Sequence, residues 1–211
     1  MDIVKMVQEK MAQNTYLVVE SEDAILIDAG VYVSDIDEHL KVFSPKPHLH
    51  AVLLTHCHFD HIQELDNIAK KYSCPIYIFK SGKPMLYSVE QNLSFLDNPF
   101  KIKEKKLVKT FKDGEELEFG SIKVKAYNTP GHSVDSSVYV IGKNMFTGDT
   151  VFKVGVGRTD LYSGDSGVQS ISLERVLNTL SDGVENFFAG HGANFDKAEL
   201  EYNISRILGE N

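Results

Sequence analysis

Residues 51–61 read Ala-Val-Leu-Leu-Thr-His-Cys-His-Phe-Asp-His. The apolar run Ala51 to Leu54 suits a short strand covered on both faces. It leads directly into His56, His58, Asp60 and His61. All four side chains can ligate a metal, through neutral imidazole nitrogens and an ionised carboxylate. With His56 and His58 extended, their side chains share one face by strand periodicity. If the chain then turns into a helix, Asp60 and His61 swing to a neighbouring point. That arrangement suits two metal positions better than one. A purely structural role would bury several imidazoles that need partners, or spread them over a surface. Cys57 is expected to point away from its neighbours' face and to pack rather than ligate.

Outward from this stretch, strand and helix patterns alternate. Gln63 to Tyr72 has helical spacing through Leu65, Ile68 and Ala69, and Pro75 to Phe79 reads as another buried strand. Upstream, Met1–Val7, Asn14–Glu20 and Ala24–Asp28 read as an antiparallel meander with short links. A helix capped by Ser34 or Asp35 follows, with Ile36, Leu40 and Phe43 on one side, and Pro45 and Pro47 stop it. Residues 81–106 read as a long loop with a short helix near Met85, and its lysines read as a solvated face. Strands return over Leu107–Tyr127, and Ser136–Ile141 with Asn144–Phe146 make a hairpin. Val168–Leu180 is expected as a helix and Asn186–Ala189 as a strand. A last helix, Lys197–Leu208, is expected to turn Leu200, Ile204, Ile207 and Leu208 inward. This is the pattern of layered α/β structure in a single domain.

Further candidates lie at turns and strand ends, where a rigid scaffold places binding groups. They are His132 after Pro130-Gly131, Asp149 after Gly148, and His191 between Gly190 and Gly192. A lone histidine beside glycine is more often an ordinary loop residue, and Asp149 alone reads as a turn or cap residue. They gain weight only beside the cluster at 56–61.

Composition narrows the classes. The chain has 211 residues, with 22 Lys+Arg against 30 Asp+Glu, a net charge of −8. That excess of negative charge argues against a general nucleic-acid binder, which needs a basic face. No stretch approaches the ~20 apolar residues of a membrane helix. The start lacks a secretory h-region, and two cysteines are too few for a disulfide framework. A reducing cytoplasm is the expected location.

The ordered motifs resemble the metallo-beta-lactamase superfamily, especially its small glyoxalase II-like hydrolases. They are Asp28 before Gly30, Thr55-His-Cys-His-Phe-Asp-His61, Thr129-Pro-Gly-His132, Thr147-Gly-Asp-Thr150, Gly157-Arg-Thr-Asp160 and Gly190-His-Gly192. Asn92-Leu-Ser94 and Asn98-Pro-Phe100 look like the loop of a compact bacterial branch. The resemblance implies an α+β fold, a four-layer αβ/βα sandwich with the metal site at one edge of its sheets. It implies that His56, His58 and His132 hold a first divalent ion and Asp60, His61 and His191 a second, with Asp149 bridging. Zinc is expected, with iron or manganese as alternatives. Asp28 matches an acid that orients the ligand loop, and Arg158 and Asp160 match a supporting turn. The implied chemistry is attack on a small acyl substrate by hydroxide, formed where two cations lower the pKa of water to about 7. Asp60 would both ligate and orient that water. No Gly-x-Ser-x-Gly elbow supplies a protein nucleophile.

Departures from the family pattern refine the expectation. Only 20 residues follow His191, without the helical extension that binds glutathione in glyoxalase II, so glutathione recognition is not implied. Ile62-Gln63-Glu64 stands where the family often has Gly-Gly, a bulkier helix start. Asp149 replaces the cysteine ligand of secreted lactamases, so antibiotic hydrolysis is not expected. The competing expectation is an iron-dependent persulfide dioxygenase of the same superfamily, using His56, His132 and Asp149 as a facial triad. A phosphodiesterase and a non-catalytic metal-binding module are the more distant readings.

Overall fold

The strand that leads into the histidine run sits inside a six-stranded sheet. The computed structural model describes residues 1–97 and 99–209. Asn98, part of the Asn98-Pro-Phe100 stretch, lies outside the described residues. The first sheet holds β1 (Asp2–Val7), β2 (Asn14–Glu20), β3 (Asp23–Ile27), β4 (His48–Leu53), β5 (Ile76–Phe79) and β6 (Val108–Phe111), side by side in that order. The meander β1-β2-β3 is antiparallel, whereas β3 to β6 run parallel. The chain then crosses to a second sheet of β7 (Glu115–Phe119), β8 (Ile122–Asn128), β9 (Ser137–Ile141), β10 (Asn144–Gly148), β11 (Asn186–Ala189) and β12 (Phe195–Asp196). Their spatial order is β12-β11-β10-β9-β8-β7. The contact of β10 with β11 is parallel and the others are antiparallel.

Side-chain alternation makes the layers. Tyr16 and Val18, Ile25 and Ile27, and Ala51 and Leu53 point into the space between the sheets. There they meet Leu117, Phe119, Val124, Tyr139 and Phe146 of the second sheet. Their neighbours Leu17, Leu26, Val52 and Leu54 face the other way, onto helices α1 (Val33–Lys41) and α3 (Leu65–Tyr72) through Ile36, Leu40, Leu65 and Ile68. The outer face of the second sheet, with Val138, Met145 and Phe187, packs on α5 (Ser166–Arg175) and α6 (Lys197–Leu208). Helix, sheet, sheet and helix thus form the four layers of one domain. The inner strands of the first sheet are covered on both faces, which is why Ala51–Leu53 of β4 reads as an apolar run, whereas β7 and β8 of the second sheet keep Glu116, Glu118, Lys123 and Lys125 in solvent.

Several local details differ from the sequence reading. Helix α1 begins after Tyr32, and neither Ser34 nor Asp35 caps it. The helix expected over Gln63–Tyr72 is α3, which starts at Leu65, and a separate short helix, α2 (Phe59–Ile62), precedes it and carries Asp60 and His61. The short helix near Met85 is α4 (Gly82–Met85). In α6 Asn203 is buried and Ile207 is exposed. Among the described residues, no helix is long and apolar enough to cross a membrane.

Candidate metal centre

Strand ends and turns at one edge of the sandwich carry the candidate residues. Asp28 follows β3, His56 to His61 follow β4, and His132 lies in the link from β8 to β9. Asp149 follows β10 and His191 follows β11. The fold therefore brings together seven side chains that span 136 positions of sequence, from His56 to His191. Three groups of ligand atoms each lie within 4.8 Å of one another: His56, His58 and His132; His56, His61 and Asp149; and Asp60, His61 and His191.

His58 is the extended residue just before α2, so the chain changes direction between His58 and Asp60. His56 and His58 stay on the side of His132, with the His56 and His132 Nε2 atoms 3.2 Å apart. One helical turn carries Asp60 and His61 towards His191, whose Nε2 lies 3.2 Å from Asp60 Oδ2. Asp149 stands between the two groups. Its Oδ2 is 3.6 Å from His132 Nε2 and 3.6 Å from His191 Nε2. Its Oδ1 is 3.4 Å from His61 Nε2.

Partners outside the cluster fix how the rings face. His61 Nδ1–H donates to Asp28 Oδ2 at 2.8 Å, which leaves Nε2 pointing inward. His132 Nδ1–H donates to the Arg158 carbonyl at 2.7 Å, with the same result. Such partners set tautomer and ring orientation in metal sites. Asp28 also accepts from the Thr55 backbone N–H at 2.8 Å, so one carboxylate holds both ends of the ligand loop. It does so from a left-handed backbone (φ 63°), a conformation aspartate tolerates better than most residues. Arg158 and Asp160 are exposed and pair with each other at 2.7 Å. Arg158 thus serves the centre through its main chain, and its side chain does not enter.

The donors fit divalent cations. His58 Nε2, His61 Nε2 and Asp149 Oδ1 are buried without any hydrogen-bond partner, an expensive state for polar atoms. All three belong to the cluster, and the other such atoms among the described residues, Tyr87 Oη, Asp135 Oδ2 and Gln169 Oε1, lie outside it. The surrounding backbone leaves no room for a side chain: a Cβ on Gly190 would lie 2.2 Å from Asp149 Oδ1 and 2.8 Å from the His61 ring. A Cβ on Gly157 would lie 2.8 Å from the His132 ring.

Charge divides the centre. Burial, joined by the neighbouring histidines, holds His56 well below its ordinary pKa and lowers His58 to about 3. Both imidazoles are therefore neutral, with lone pairs free to ligate. At His61 burial acts downward too, but the carboxylates of Asp28, Asp60 and Asp149 outweigh it and raise the pKa well above normal. At Asp149 burial acts upward, yet His61, His132 and His191 hold its carboxyl far below the usual range. This half of the centre demands positive charge, and a proton on His61 stands in where a cation would serve.

Sequence reasoning missed the polar start of β2. Asn14 Nδ2 donates to the carbonyls of Ala189 at 2.9 Å and Gly192 at 3.0 Å. The Asn14 backbone N–H donates to Gly190 at 2.7 Å, and the Tyr16 hydroxyl to Ala189 at 2.7 Å. The His191 loop is thus tied to the other sheet. The one available signal was Gln13-Asn14-Thr15, three polar residues opening an apolar strand. Asp135 was missed as well. Its buried carboxyl accepts from Ser133 at 2.8 Å and lies 3.8 Å from Cys57 Sγ, linking the His132 turn to the 56–58 loop. Burial pushes its pKa up to about 6.

Comparison with known proteins agrees with this architecture. The family model described as metallo-beta-lactamase superfamily matches residues 9–191. The probable metallo-hydrolase YqgX of Bacillus subtilis is 30% identical over 185 residues, covering 87% of this chain and 86% of that protein. The crystal structure of the BLEG-1 B3 metallo-beta-lactamase superposes with a TM-score of 0.84 at 25% identity, covering 96% of this chain and 98% of that one. That of ETHE1 from Myxococcus xanthus gives 0.75 at 25% identity, covering 99% and 85%. The chain belongs to the metallo-beta-lactamase superfamily, within the general class of metal-dependent hydrolases.

Proposed function

We propose that the protein is a cytoplasmic binuclear hydrolase that cleaves a small thioester or related acyl ester, in the manner of glyoxalase II. The observation that carries the reading is the place of Asp149, within 3.6 Å of His132 on one side and within 3.6 Å of His61 and His191 on the other. His56, His58 and His132 would hold one divalent ion, and Asp60, His61 and His191 the second, with zinc the expected metal. Bound there, the ions would supply Lewis acidity and hydroxide at neutral pH. The chain's own part is to hold and orient. Asp28 and the Arg158 carbonyl keep the His61 and His132 Nε2 lone pairs turned inward. Asp60 Oδ2, beside the most exposed of the ligand histidines, would accept a hydrogen bond from the attacking water and turn its oxygen toward the substrate carbonyl. No serine or cysteine is needed as nucleophile, and Cys57 is buried away from the centre. Two free, buried cysteines agree with a reducing compartment.

A second reading is a mononuclear iron dioxygenase acting on a persulfide, through His56, His132 and Asp149. The likeness to ETHE1 over 99% of the chain favours it as the competitor. One experiment separates the two. Metal analysis of protein purified without added metal is paired with a panel of thioesters, a β-lactam and a glutathione persulfide under oxygen monitoring. The hydrolase reading expects two ions per chain and thioester cleavage without oxygen uptake. One iron per chain with oxygen uptake and sulfite release overturns it.

A further inference from the structure

Six of the seven ligand side chains are at most 11% exposed, but that of His191 is 26% exposed. The centre is thus most open at His191. At that point opens a cavity of about 340 Å³, lined by Phe152, Lys153, Val154, His191, Gly192 and Ala193. Its wall is almost entirely carbon. The one charge, Lys153, is drawn off to Glu199 at 2.8 Å. The Phe152 ring stands edge-on to His191, with centroids 6.1 Å apart.

The wall is held in place from behind. Asn203 of α6 is 2% exposed and makes three hydrogen bonds to the wall segment. Its Nδ2 donates to the carbonyls of Phe152 at 3.0 Å and Gly155 at 2.9 Å, and its Oδ1 accepts from the Gly155 N–H at 3.0 Å. A polar residue thus displaces core packing on α6 in order to fix residues 152–155. Val154 is 74% exposed despite this anchoring, and so is Tyr202, which lines the adjoining cavity with it. Fixed apolar surface left bare next to an open ligand residue is surface reserved for something apolar.

Building on the proposed hydrolase reading, we infer that the Phe152–Val154 wall is a subsite for an unbranched apolar chain attached to the scissile carbonyl. The subsite runs from His191 over Val154 towards Tyr202. It takes hydrocarbon at its His191 end, whereas Lys153, Asp196, Glu199 and Arg206 line its far end beside Tyr202. The chain can belong to the acyl side or to the thiol side of the substrate, and the same surface suits either.

The test is calorimetric binding of straight-chain carboxylates, acetate to octanoate, and of the matching n-alkanethiols, to the metal-loaded protein. Turnover of two thioester series, lengthened on the acyl or on the thiol side, is measured in parallel. The dissociation constant is expected to fall about twofold to fourfold per added methylene, as burial of each CH₂ dictates. The series that shows this slope in kcat/KM names the side that binds. Val154→Asp and Phe152→Ala should flatten the slope, and Tyr202→Ser should shorten its reach. If neither the carboxylate nor the alkanethiol series binds more tightly as it lengthens, the subsite is overturned, even if short thioesters are hydrolysed. If chain-length-dependent binding occurs without hydrolysis of either series, the subsite stands and the hydrolase reading fails.

Discussion

The two halves of the metal centre are built by different means. His56, His58 and His132 are deeply buried, and burial keeps the imidazoles of His56 and His58 neutral. Their rings are set by main-chain and hydroxyl groups such as the Arg158 carbonyl and Thr55 Oγ. Asp60, His61 and His191 form a carboxylate-rich half, open at His191. Its exposed loop is tied across to β2 by Asn14 and Tyr16. Burial organises the first half. In the second, excess negative charge and a long-range brace do that work. The difference teaches that the second half should be the easier to empty and the more sensitive to residues that never touch a cation.

The harshest way to break the contrast is to remove what the halves share. Asp149→Ala should lower kcat/KM on the order of a thousandfold, a loss of several kcal/mol of charge stabilisation. His58→Ala should also abolish hydrolysis while the fold persists, by circular dichroism. Wild-type turnover by either variant would refute the site assignment. A sharper probe is Asp28→Asn, which takes the carboxylate from His61 Nδ1. Loss of such a partner typically weakens metal affinity about 10- to 100-fold. Chelator competition should place most of that loss on the second ion. Smaller again is Asn14→Ala, which leaves the carbonyls of Ala189 and Gly192 without their donor. About tenfold weaker binding of the second ion is expected, with the first unchanged. Equal weakening of both ions would erase the distinction between the halves.

The smallest effect is expected far from the centre. Asp23 accepts from the Ser121 N–H at 2.6 Å and pairs with His50 at 2.6 Å, latching the β2–β3 turn to the second sheet. The Ser121 N–H, helped by His50, holds its carboxyl down to about 2. A depressed carboxyl stabilises the fold above its unfolded pKa, near 4. That contribution is lost as pH falls from about 4 towards 2. Asp23→Asn should flatten this stretch of a Tm-against-pH profile and leave metal stoichiometry untouched. A change in metal content would mean that the latch and the centre are coupled.

What the sequence disclosed follows the range of each interaction. His56 to His61 were legible because strand period and helix turn act within six positions. The layers were legible because Ala51–Leu53 of β4 and Ile76–Phe79 of β5 are unbroken apolar runs. His132, Asp149 and His191 are ordinary turn residues by themselves; their places at turns and strand ends made them candidates beside the 56–61 cluster, and the order of the motifs gave each a role. Asn14 left only a local trace, in the polar run Gln13-Asn14-Thr15, because its partners lie 175 and 178 residues away. Asn203 was hidden for a related reason. Leu200, Ile204 and Leu208 form the row that meets the core, whereas Asn203 and Ile207 form the next row. That row meets the 152–155 backbone and then runs out into solvent.

The central claim is that two cations share Asp149, and metal counting tests it most directly. Elemental analysis of the wild type should give two divalent ions per chain. His191→Ala should retain one, which resists chelator as the first ion of the wild type does. A single ion in both proteins, removed equally by chelator, would contradict the account.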